Sequence, residues 1–507
     1  MRLLQFSALA LCTCAALTVN AEVRLPNALS DHAVLQRERP IHIWGWATPG
    51  AHLTAHFHAQ TVLAEANALG KWSLYLQPEQ AGGPYTLTIT GDGAEKTLTD
   101  LLVGDVWLAS GQSNMEFPLA GFTGAPLKDG DKEIAAATNP KLRLLLVDHK
   151  ASDVPVNDVT GTWTLCTPET AKNFSAVAYF FGREIASHEN VPIGLIDSTW
   201  GGTPADSWTS LDTLGTDPAL LPAFASRARF ADEQTNLDAT IAAEKQEDAA
   251  AGAAGKTAPK HPWHPNEASW LPAGLYNGMI APLTPLTIKG FLWYQGETNS
   301  AHDRAPYYGR LFSAMIGDWR AHFGQGNLPF LFAQISSFDS PEEDWGTVRD
   351  QQRRTLAVAN TAMAVTLDVG TADNVHPPDK QTVAARLALA ARTLAYGEHI
   401  TYSGPAFLEA TTELSKEGKT SLRIWFAHAD GLTSRGKMLS GFEVAGTDHH
   451  FIPAQAKIEG NTVLVNAPSL DTPVYVRYGW EGVVTAWLYN ADGLPASTFT
   501  SEQNLIR

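Results

Sequence analysis

The chain has 507 residues and a formal net charge of −17 at pH 7, from 36 basic and 53 acidic side chains. This length allows about two to four domains with sizeable cores, and the acidic balance argues against a polyanionic partner such as nucleic acid. The 15 tryptophans are compatible with stacking on sugar rings, although most tryptophans in any protein pack in the core.

The N-terminus predicts export. Arg2 precedes the apolar run 3–17, and Val19-Asn20-Ala21 forms a small-residue cleavage site. We therefore expect residues 1–21 to be a signal peptide, and the mature protein to be periplasmic or secreted, as from a bacterium. The apolar run is short for a membrane span. Only Cys166 remains after cleavage, which excludes an intramolecular disulfide.

Residues 22–100 predict a small β-sandwich. Alternating segments at 41–46, 53–57, 72–76 and 85–89 are separated by Gly- and Pro-containing turns. His52, His56 and His58 can share one strand face, but no Cys or carboxylate accompanies them, so we interpret them as a polar face rather than a metal site. The sequence predicts no metal or organic cofactor.

Residues 101–404 alternate strand and helix patterns, which is typical of a doubly wound α/β layer. The apolar run from Leu101 to Leu108 predicts a strand buried on both faces. Ser113 follows at the C-terminal end of that strand, where open α/β sheets bind ligands. Gly111 permits a sharp turn before it. The alternative role for Ser113 is a helix N-cap, and Met115 excludes the Gly-x-Ser-x-Gly motif.

A second motif supplies a base for that serine. Asp373-x-x-His376 allows an acid and an imidazole to come from one loop, and Pro377 stiffens the chain after it. We expect His376 to be the general base and Asp373 to orient it. A surface histidine beside a proline turn is the alternative.

Two glycines follow the predicted strand 191–197. Acyl transfer passes through an oxyanion, which needs N–H donors close by, and Gly201 or Gly202 can bring a backbone amide there without a side chain in the way. A simple strand-to-helix turn is the alternative role. The sequence does not decide which of the two glycines points inward.

Four short motifs together resemble one family. They are Gly111-Gln-Ser-Asn-Met-Glu116, Trp200-Gly-Gly-Thr203, Trp293-Tyr-Gln-Gly-Glu297 and Asp373-x-x-His376. In this order they resemble the SGNH/GDSL hydrolases, and more narrowly the sialate O-acetylesterase-like carbohydrate acetylesterases. The resemblance covers most of the chain from residue 22. It implies an SGNH-type doubly wound α/β hydrolase core with flanking all-β sandwich modules.

The resemblance also implies a role for Gln295. The SGNH pattern places Asn here as an oxyanion donor, and the acetylesterase branch has Gln, whose amide can donate in the same way. The predicted oxyanion hole therefore combines Ser113, Gly201 or Gly202, and Gln295. Glu297 is expected to orient Gln295 or to contact substrate, with a helix cap as the alternative.

An insertion at 211–275 is rich in Ala, Asp and Glu and predicts a helix from Leu237 to Ala250. Insertions of this kind often form a substrate wall. The weaker candidates for sugar contact lie in or beside this insertion: Asp206, Trp208, Trp263, His264 and Trp270. Loop packing is their alternative role. Residues 405–507 return to short strands and predict a second sandwich.

These features favour a serine-dependent carbohydrate O-acetylesterase whose partner is an acetylated oligo- or polysaccharide. Among substrates implied by the resemblance, we place plant hemicellulose (xyloglucan or xylan) first, because the Trp-rich surroundings suit neutral sugars. A sialate would favour an arginine, for which Arg304 and Arg349 are candidates. A non-catalytic carbohydrate-binding protein is the alternative of another class, and a lipase or peptidase with the same triad is a third.

Overall fold

The computed structural model describes residues 22–91, 93–225, 237–259, 261, 264, 266–414, 419–484 and 488–503. Its N-terminal part is all-β, and along the fifth strand Trp72, Leu74 and Leu76 are buried while the residues between them are exposed. Alternate side chains share one face of a strand, so this pattern turns one face toward the core. The first six strands are β1 (Val34–Gln36), β2 (Ile41–Trp46), β3 (His52–Phe57), β4 (Gln60–Glu65), β5 (Lys71–Leu76) and β6 (Gly82–Gly91).

A long strand, β7 (Ala94–Gly111), joins this β-rich part to the centre of the molecule. Its first half pairs antiparallel with β6, and its second half pairs in parallel with the strand Ile193–Thr199. The module boundary predicted between residues 100 and 101 therefore falls inside one continuous strand. Through β7, strands of both parts belong to a single 11-stranded sheet.

Six further strands build the core around β7: β8 (Asn139–Leu146), β9 (Trp163–Cys166), β10 (Ile193–Thr199), β11 (Gly290–Tyr294), β12 (Phe330–Ala333) and β13 (Thr361–Ala364). Their order is β13-β12-β11-β7-β10-β8-β9, and the pairs are parallel except for β8 with β9. Every residue of β10 and β11 is buried, as expected for central strands of a parallel sheet covered on both faces.

Helices cover both faces of this core sheet. The α-helices of the described residues are α1 (Ser113–Glu116), α2 (Gly130–Ala135), α3 (Pro168–Ala171), α4 (Ala176–Glu189), α5 (Leu211–Thr216), α6 (Leu237–Ala253), α7 (Tyr308–Phe323), α8 (Trp345–Arg354) and α9 (Lys380–Leu394). Along β7, Trp107 and Ala109 pack in one hydrophobic cluster with α4 and α9. Val106 and Leu108 pack in a second cluster with α7. This mixed layer, with all-β parts on either side of it in the chain, agrees with the predicted α/β class.

The C-terminal part consists of two four-stranded sheets around a third hydrophobic cluster. Their strands are β14 (Ala406–Leu414), β15 (Thr420–Ala427), β16 (Phe442–Ala445), β17 (Ile452–Pro453), β18 (Gln455–Glu459), β19 (Thr462–Asn466), β20 (Tyr475–Tyr478) and β21 (Phe499–Thr500). Within the described ranges, no helix is long and apolar enough to cross a membrane. The signal peptide predicted at 1–21 lies outside the described residues.

Candidate active site

Ser113 begins α1, two residues after the end of β7. The turn between them depends on Gly111, which has a φ of 136° and whose Cβ would lie 2.3 Å from the carbonyl oxygen of Tyr294. Only glycine fits such a position. Ser113 is half-buried and stands at the carboxyl edge of the parallel strands, the edge at which open α/β sheets bind ligands.

His376 lies in the loop between β13 and α9, and its Nε2 is 2.8 Å from Ser113 Oγ. The ring of Phe122 is 5.3 Å away, centroid to centroid. Burial lowers the pKa of His376 to about 4; the positive charge of Lys380 acts in the same direction and the charge of Glu116 opposes it. The imidazole is therefore neutral at neutral pH, and a neutral imidazole can take a proton from the serine.

Asp373 does not lie where the predicted triad requires it. Its side chain is exposed, and no hydrogen bond among the described residues joins it to His376. The polar contact within this loop is instead made by Asn374, whose Oδ1 accepts a hydrogen bond from the backbone N–H of His376 at 2.9 Å. The structure thus brings together the predicted nucleophile and base without the predicted acid.

Both glycines of the oxyanion prediction lie beside the serine loop. A Cβ on Gly201 would lie 3.2 Å from Ser113 Cβ, but the N–H of Gly201 is already donated to Glu116 Oε2 at 2.5 Å. Gly202 follows with a φ of 70°. In the described ranges, no acceptor is recorded for the N–H of Ser113 or of Gly202. The N–H groups of Ser113 and Gly202 are therefore available to donate hydrogen bonds to an oxyanion.

Gln295 is not brought to the reacting pair. Its side chain is fully buried, and Nε2 donates to Thr203 O at 3.1 Å and to Asn299 Oδ1 at 2.6 Å. Its Oε1 accepts a hydrogen bond from Tyr308 Oη at 3.0 Å. Both N–H groups of the amide are thus committed elsewhere, so the oxyanion role predicted for Gln295 does not agree with this geometry.

Ser113 and His376 open into a cavity of about 540 Å³ with tryptophans on its walls. Trp200 stacks on His149 with the ring centroids 4.4 Å apart and the planes 5° from parallel. Trp270 donates its Nε1–H to Gly202 O at 2.7 Å. Flat aromatic faces beside a serine and histidine suit a ligand with an apolar ring face, such as a sugar.

A carboxylate and an imidazole form a second pair in the same cavity. Glu116 Oε1 lies 3.1 Å from His149 Nε2. Burial opposes protonation of His149, but the hydrogen bond and the charge of Glu116 raise its pKa overall. The carboxylate of Glu116 therefore joins three parts of the site: the serine helix, the Gly201 amide and the stacked imidazole.

The residues predicted to contact the sugar do not all lie in the cavity. Trp270 and Glu297 line the cavity, whereas Trp208 and Asp206 are buried outside its lining. Burial raises the pKa of Asp206 to about 6. His264 Nε2 lies 3.0 Å from Glu244 on α6, away from the cavity lining. Trp263 lies outside the described residues.

Arginines at two predicted positions have different environments. The Arg349 guanidinium is fully buried and donates to backbone carbonyl oxygens, among them those of Ser336 and Gly482. It is a structural cation. Arg304 lines the cavity, with its guanidinium 4.8 Å from the ring centre of Trp270, and its buried Nε and Nη1 have no hydrogen-bond partner among the described residues.

In the described ranges we find no second reactive site, either in another cavity or in a cluster of possible metal ligands. A larger cavity of about 900 Å³ lies between α8 and the C-terminal strands. His449 and Ser501 line it, but His449 Nδ1 contacts Glu502 Oε1 at 2.5 Å and Ser501 Oγ accepts a hydrogen bond from the N–H of Val476, and no hydrogen bond among the described residues joins the two side chains. Within the part of the chain that the structure describes, one group has ligand atoms close enough to hold a metal ion: His188, Glu189 and Glu398. Arg392 already binds both oxygens of Glu398 at 3.0 and 2.8 Å.

Sequence reasoning assigned no role to several residues of this site: Glu116, His149, Trp200, Lys380. Glu116 and Trp200 lie inside the quoted motifs, so the signal was present but no chemistry had been attached to it. His149 follows β8 in a polar segment, and Lys380 opens an amphipathic helix. Charged and polar residues at such positions are ordinarily exposed, so no local pattern distinguishes these two.

Comparison with known proteins gives a consistent result. A family model described as carbohydrate esterase, sialic acid-specific acetylesterase, matches residues 250–394. The chain is 30% identical to the sialate O-acetylesterase of Homo sapiens, over 94% of this chain and 92% of the human protein. It is also 30% identical to the mouse (Mus musculus) protein, over 94% of each. A carbohydrate acetylesterase from Xanthomonas citri is 37% identical, with a TM-score of 0.81, over 95% of this chain and all of that one.

The fold, the site and these relatives together define a carboxylic ester hydrolase whose substrates are acetylated carbohydrates. Within that class the chain belongs to the sialate O-acetylesterase family. Family membership was expected from four short motifs, and the similarity extends over nearly the whole chain.

Proposed function

We propose that this protein is a serine esterase that removes acetyl groups from carbohydrate hydroxyls, with Ser113 as nucleophile and His376 as general base. The observation that carries the proposal is the 2.8 Å distance between Ser113 Oγ and His376 Nε2. Activation of a serine hydroxyl needs this contact with a neutral imidazole. The Trp-lined cavity beside the pair supports a sugar as the acyl donor.

In the first half-reaction, Ser113 Oγ attacks the acetyl carbonyl carbon while His376 Nε2 takes the hydroxyl proton. The tetrahedral oxyanion accepts hydrogen bonds from the N–H groups of Ser113 and Gly202. We choose Gly202 because the N–H of Gly201 is donated to Glu116. The bond between the carbonyl carbon and the sugar oxygen then breaks, and His376 gives its proton to that oxygen.

The second half-reaction releases acetate. His376 removes a proton from water as the water oxygen attacks the acetyl group on Ser113, and a second oxyanion forms at the same amides. When the bond to Ser113 Oγ breaks, the proton returns from His376 to the serine. No step requires Asp373, and none requires a metal ion or an organic cofactor.

We further propose an acetylated plant hemicellulose, xyloglucan or xylan, as the substrate. The half-buried ring of Trp200 offers a face on which a neutral pyranose can stack, and Trp270 lines the same cavity. Three carboxylates also line the cavity: Glu116, Glu297 and Glu343. Their charges disfavour a sugar that carries a carboxylate of its own.

An O-acetyl sialate is the second candidate, and one observation favours it. Arg304 lines the cavity, and its Nε and Nη1 have no hydrogen-bond partner among the described residues, although Asp303 Oδ1 lies 3.9 Å from Nε. Guanidinium is the group that binds carboxylates in bidentate fashion. The names of the curated relatives agree with this alternative.

For the whole chain, we propose an SGNH-type doubly wound core at 101–404 between two β-sandwich modules, at 22–100 and 405–507. We also propose export through the segment 1–21. The helices on both faces of the parallel sheet support the assignment of the core. The apolar run and the small-residue site before Glu22 support export.

The test is acetate release from acetylated xyloglucan, acetylated xylan and O-acetyl sialic acid, measured for the wild type, Ser113→Ala and Arg304→Gln. Release from a plant glycan that is lost in Ser113→Ala supports the mechanism and the substrate. Release from the sialate alone, weakened in Arg304→Gln, retains the mechanism and selects the second candidate. Glycan binding without release from any ester would instead favour a carbohydrate-binding protein.

A further inference from the structure

A buried lysine lies next to the proposed catalytic pair. Lys380, the first residue of α9, is fully buried, and its Nζ donates to Asn114 Oδ1 at 2.5 Å. The same Nζ lies 4.7 Å from the ring centre of Phe117 and 5.5 Å from that of Tyr294. An ammonium is costly to bury, so a lysine retained here needs an explanation beyond packing.

Asn114 connects this lysine to two further groups. Its Nδ2 donates to Glu297 Oε1 at 2.5 Å and to the carbonyl oxygen of Val375 at 3.0 Å. An ammonium can only donate, whereas a carboxylate and a carbonyl oxygen accept. Lys380 therefore fixes the amide with Oδ1 toward itself and Nδ2 toward Glu297 and Val375.

The amide of Asn114 thereby joins the two loops that carry the proposed chemistry. Asn114 directly follows Ser113, and Val375 directly precedes His376. We infer that Lys380 and Glu297, acting through Asn114, are positioning residues. They keep the side chains of Ser113 and His376 within hydrogen-bonding distance of each other. The inference rests on the proposed function of that pair. The network acts on His376 through the backbone of Val375 and not through the imidazole ring.

The charge of Lys380 has a second effect. Besides burial, the groups that shift the pKa of His376 are Lys380, which lowers it, and Glu116, which raises it. Burial lowers the pKa of Lys380 itself to about 7, and the charge of Glu297 opposes this shift. Removal of the lysine should therefore raise the pKa of His376 and move the acid limb of the rate profile to higher pH.

The experiment compares full-length wild type, Lys380→Met, Asn114→Asp and Glu297→Gln as catalysts of 4-nitrophenyl acetate hydrolysis over a range of pH. Asn114→Asp keeps the shape of the side chain but removes both Nδ2 donors. We expect Lys380→Met and Asn114→Asp to lose about 10- to 100-fold in kcat with little change in KM, as misplacement of reacting groups does. Glu297→Gln retains an acceptor for Asn114 and should lose less.

Lys128→Met is the matched control, because Lys128 is exposed and contacts Asp379, the neighbour of Lys380. It should match the wild type. A wild-type kcat and an unchanged acid limb in Lys380→Met would overturn the inference while Ser113→Ala remains inactive. Full activity in Ser113→Ala would overturn the proposed function instead. If Lys380→Met does not fold, as judged by circular dichroism, Asn114→Asp decides, and a wild-type kcat there overturns the inference.

Discussion

Asp373 precedes His376 by three residues, yet its carboxylate is exposed and no hydrogen bond among the described residues joins the two side chains. Ser113 lies 263 positions away from His376 in the sequence and is within 2.8 Å of it. Proximity in sequence therefore does not by itself bring the carboxylate of Asp373 to the imidazole in this structure. Parallel strands that end at the same edge of the sheet, β7 and β13, bring Ser113 and His376 together, although two strands lie between them.

Asp373→Ala is therefore expected to change kcat by less than about threefold, because an exposed carboxylate without contact to His376 cannot fix its tautomer. The measurement is kcat for 4-nitrophenyl acetate, with Asp153→Ala, another exposed aspartate, as the control. In a triad that uses this carboxylate, loss of the acid costs about 10⁴-fold in kcat. A loss approaching that size would return Asp373 to the orienting role.

The sequence pattern predicted several secondary-structure elements of the fold but not every boundary. The strand predicted at 191–197 is β10, whose continuous apolar run matches its burial on both faces. The helix predicted at 237–250 is α6, whose described side chains are exposed or half-buried, so its Ala- and Glu-rich composition and not burial favours the helix. The boundary predicted at residue 100 falls inside β7. There the strand changes from mostly exposed residues, with only Leu98 buried between 94 and 100, to continuous burial from Leu101 onward, because the second half of the strand is covered on both faces.

In the candidate site, the sequence predicted residue types but not the directions or the burial of the side chains. Residue types identified Ser113 and His376, since few side chains can act as nucleophile and base. Gln295 was placed at the correct edge of the sheet, but the direction of its side chain depends on Thr203 and Asn299, which lie on other turns. The burial of Lys380 could not be predicted, because it depends on contacts with two segments distant in sequence, at Asn114 and Phe117 and at Tyr294.

The low pKa of His376 predicts the pH dependence of the reaction. The neutral imidazole is the active form, so on the acid side kcat/KM should fall only as the pH decreases through about 4. The folded-state pKa is depressed, so the unfolded chain takes up the proton first, and stability should also decrease as the pH falls from about 6.5 toward 4. Rates at each pH therefore need circular dichroism of the same sample. An acid limb near 6.5 with intact structure would contradict the buried, neutral histidine.

Gln295→Ala is expected to act on stability more than on chemistry. The substitution leaves the carbonyl oxygen of Thr203 without the Gln295 donor and opens a cavity in a fully buried region. We expect a loss of about 2–4 kcal/mol in the free energy of unfolding, measured by urea denaturation, and a kcat within about tenfold of wild type. Gln77→Ala, at an exposed position, should cost less than about 0.5 kcal/mol. A stable Gln295→Ala protein with kcat reduced by about 10²–10³ would restore the oxyanion role.

Trp200→Ala separates sugar binding from acyl transfer. The Trp200 ring lines the cavity, and His149 stacks on one of its faces. A bound sugar can therefore stack only on the opposite face of the ring. Loss of one aromatic contact of about 0.5–1.5 kcal/mol should raise KM for an acetylated oligosaccharide roughly 2- to 12-fold. It should leave KM for 4-nitrophenyl acetate unchanged, because that ester carries no sugar. Trp425→Ala, with a ring 42% exposed on β15, controls for loss of a surface tryptophan. Equal increases in KM for both esters would show that Trp200 shapes the acyl end of the cavity and not a sugar subsite.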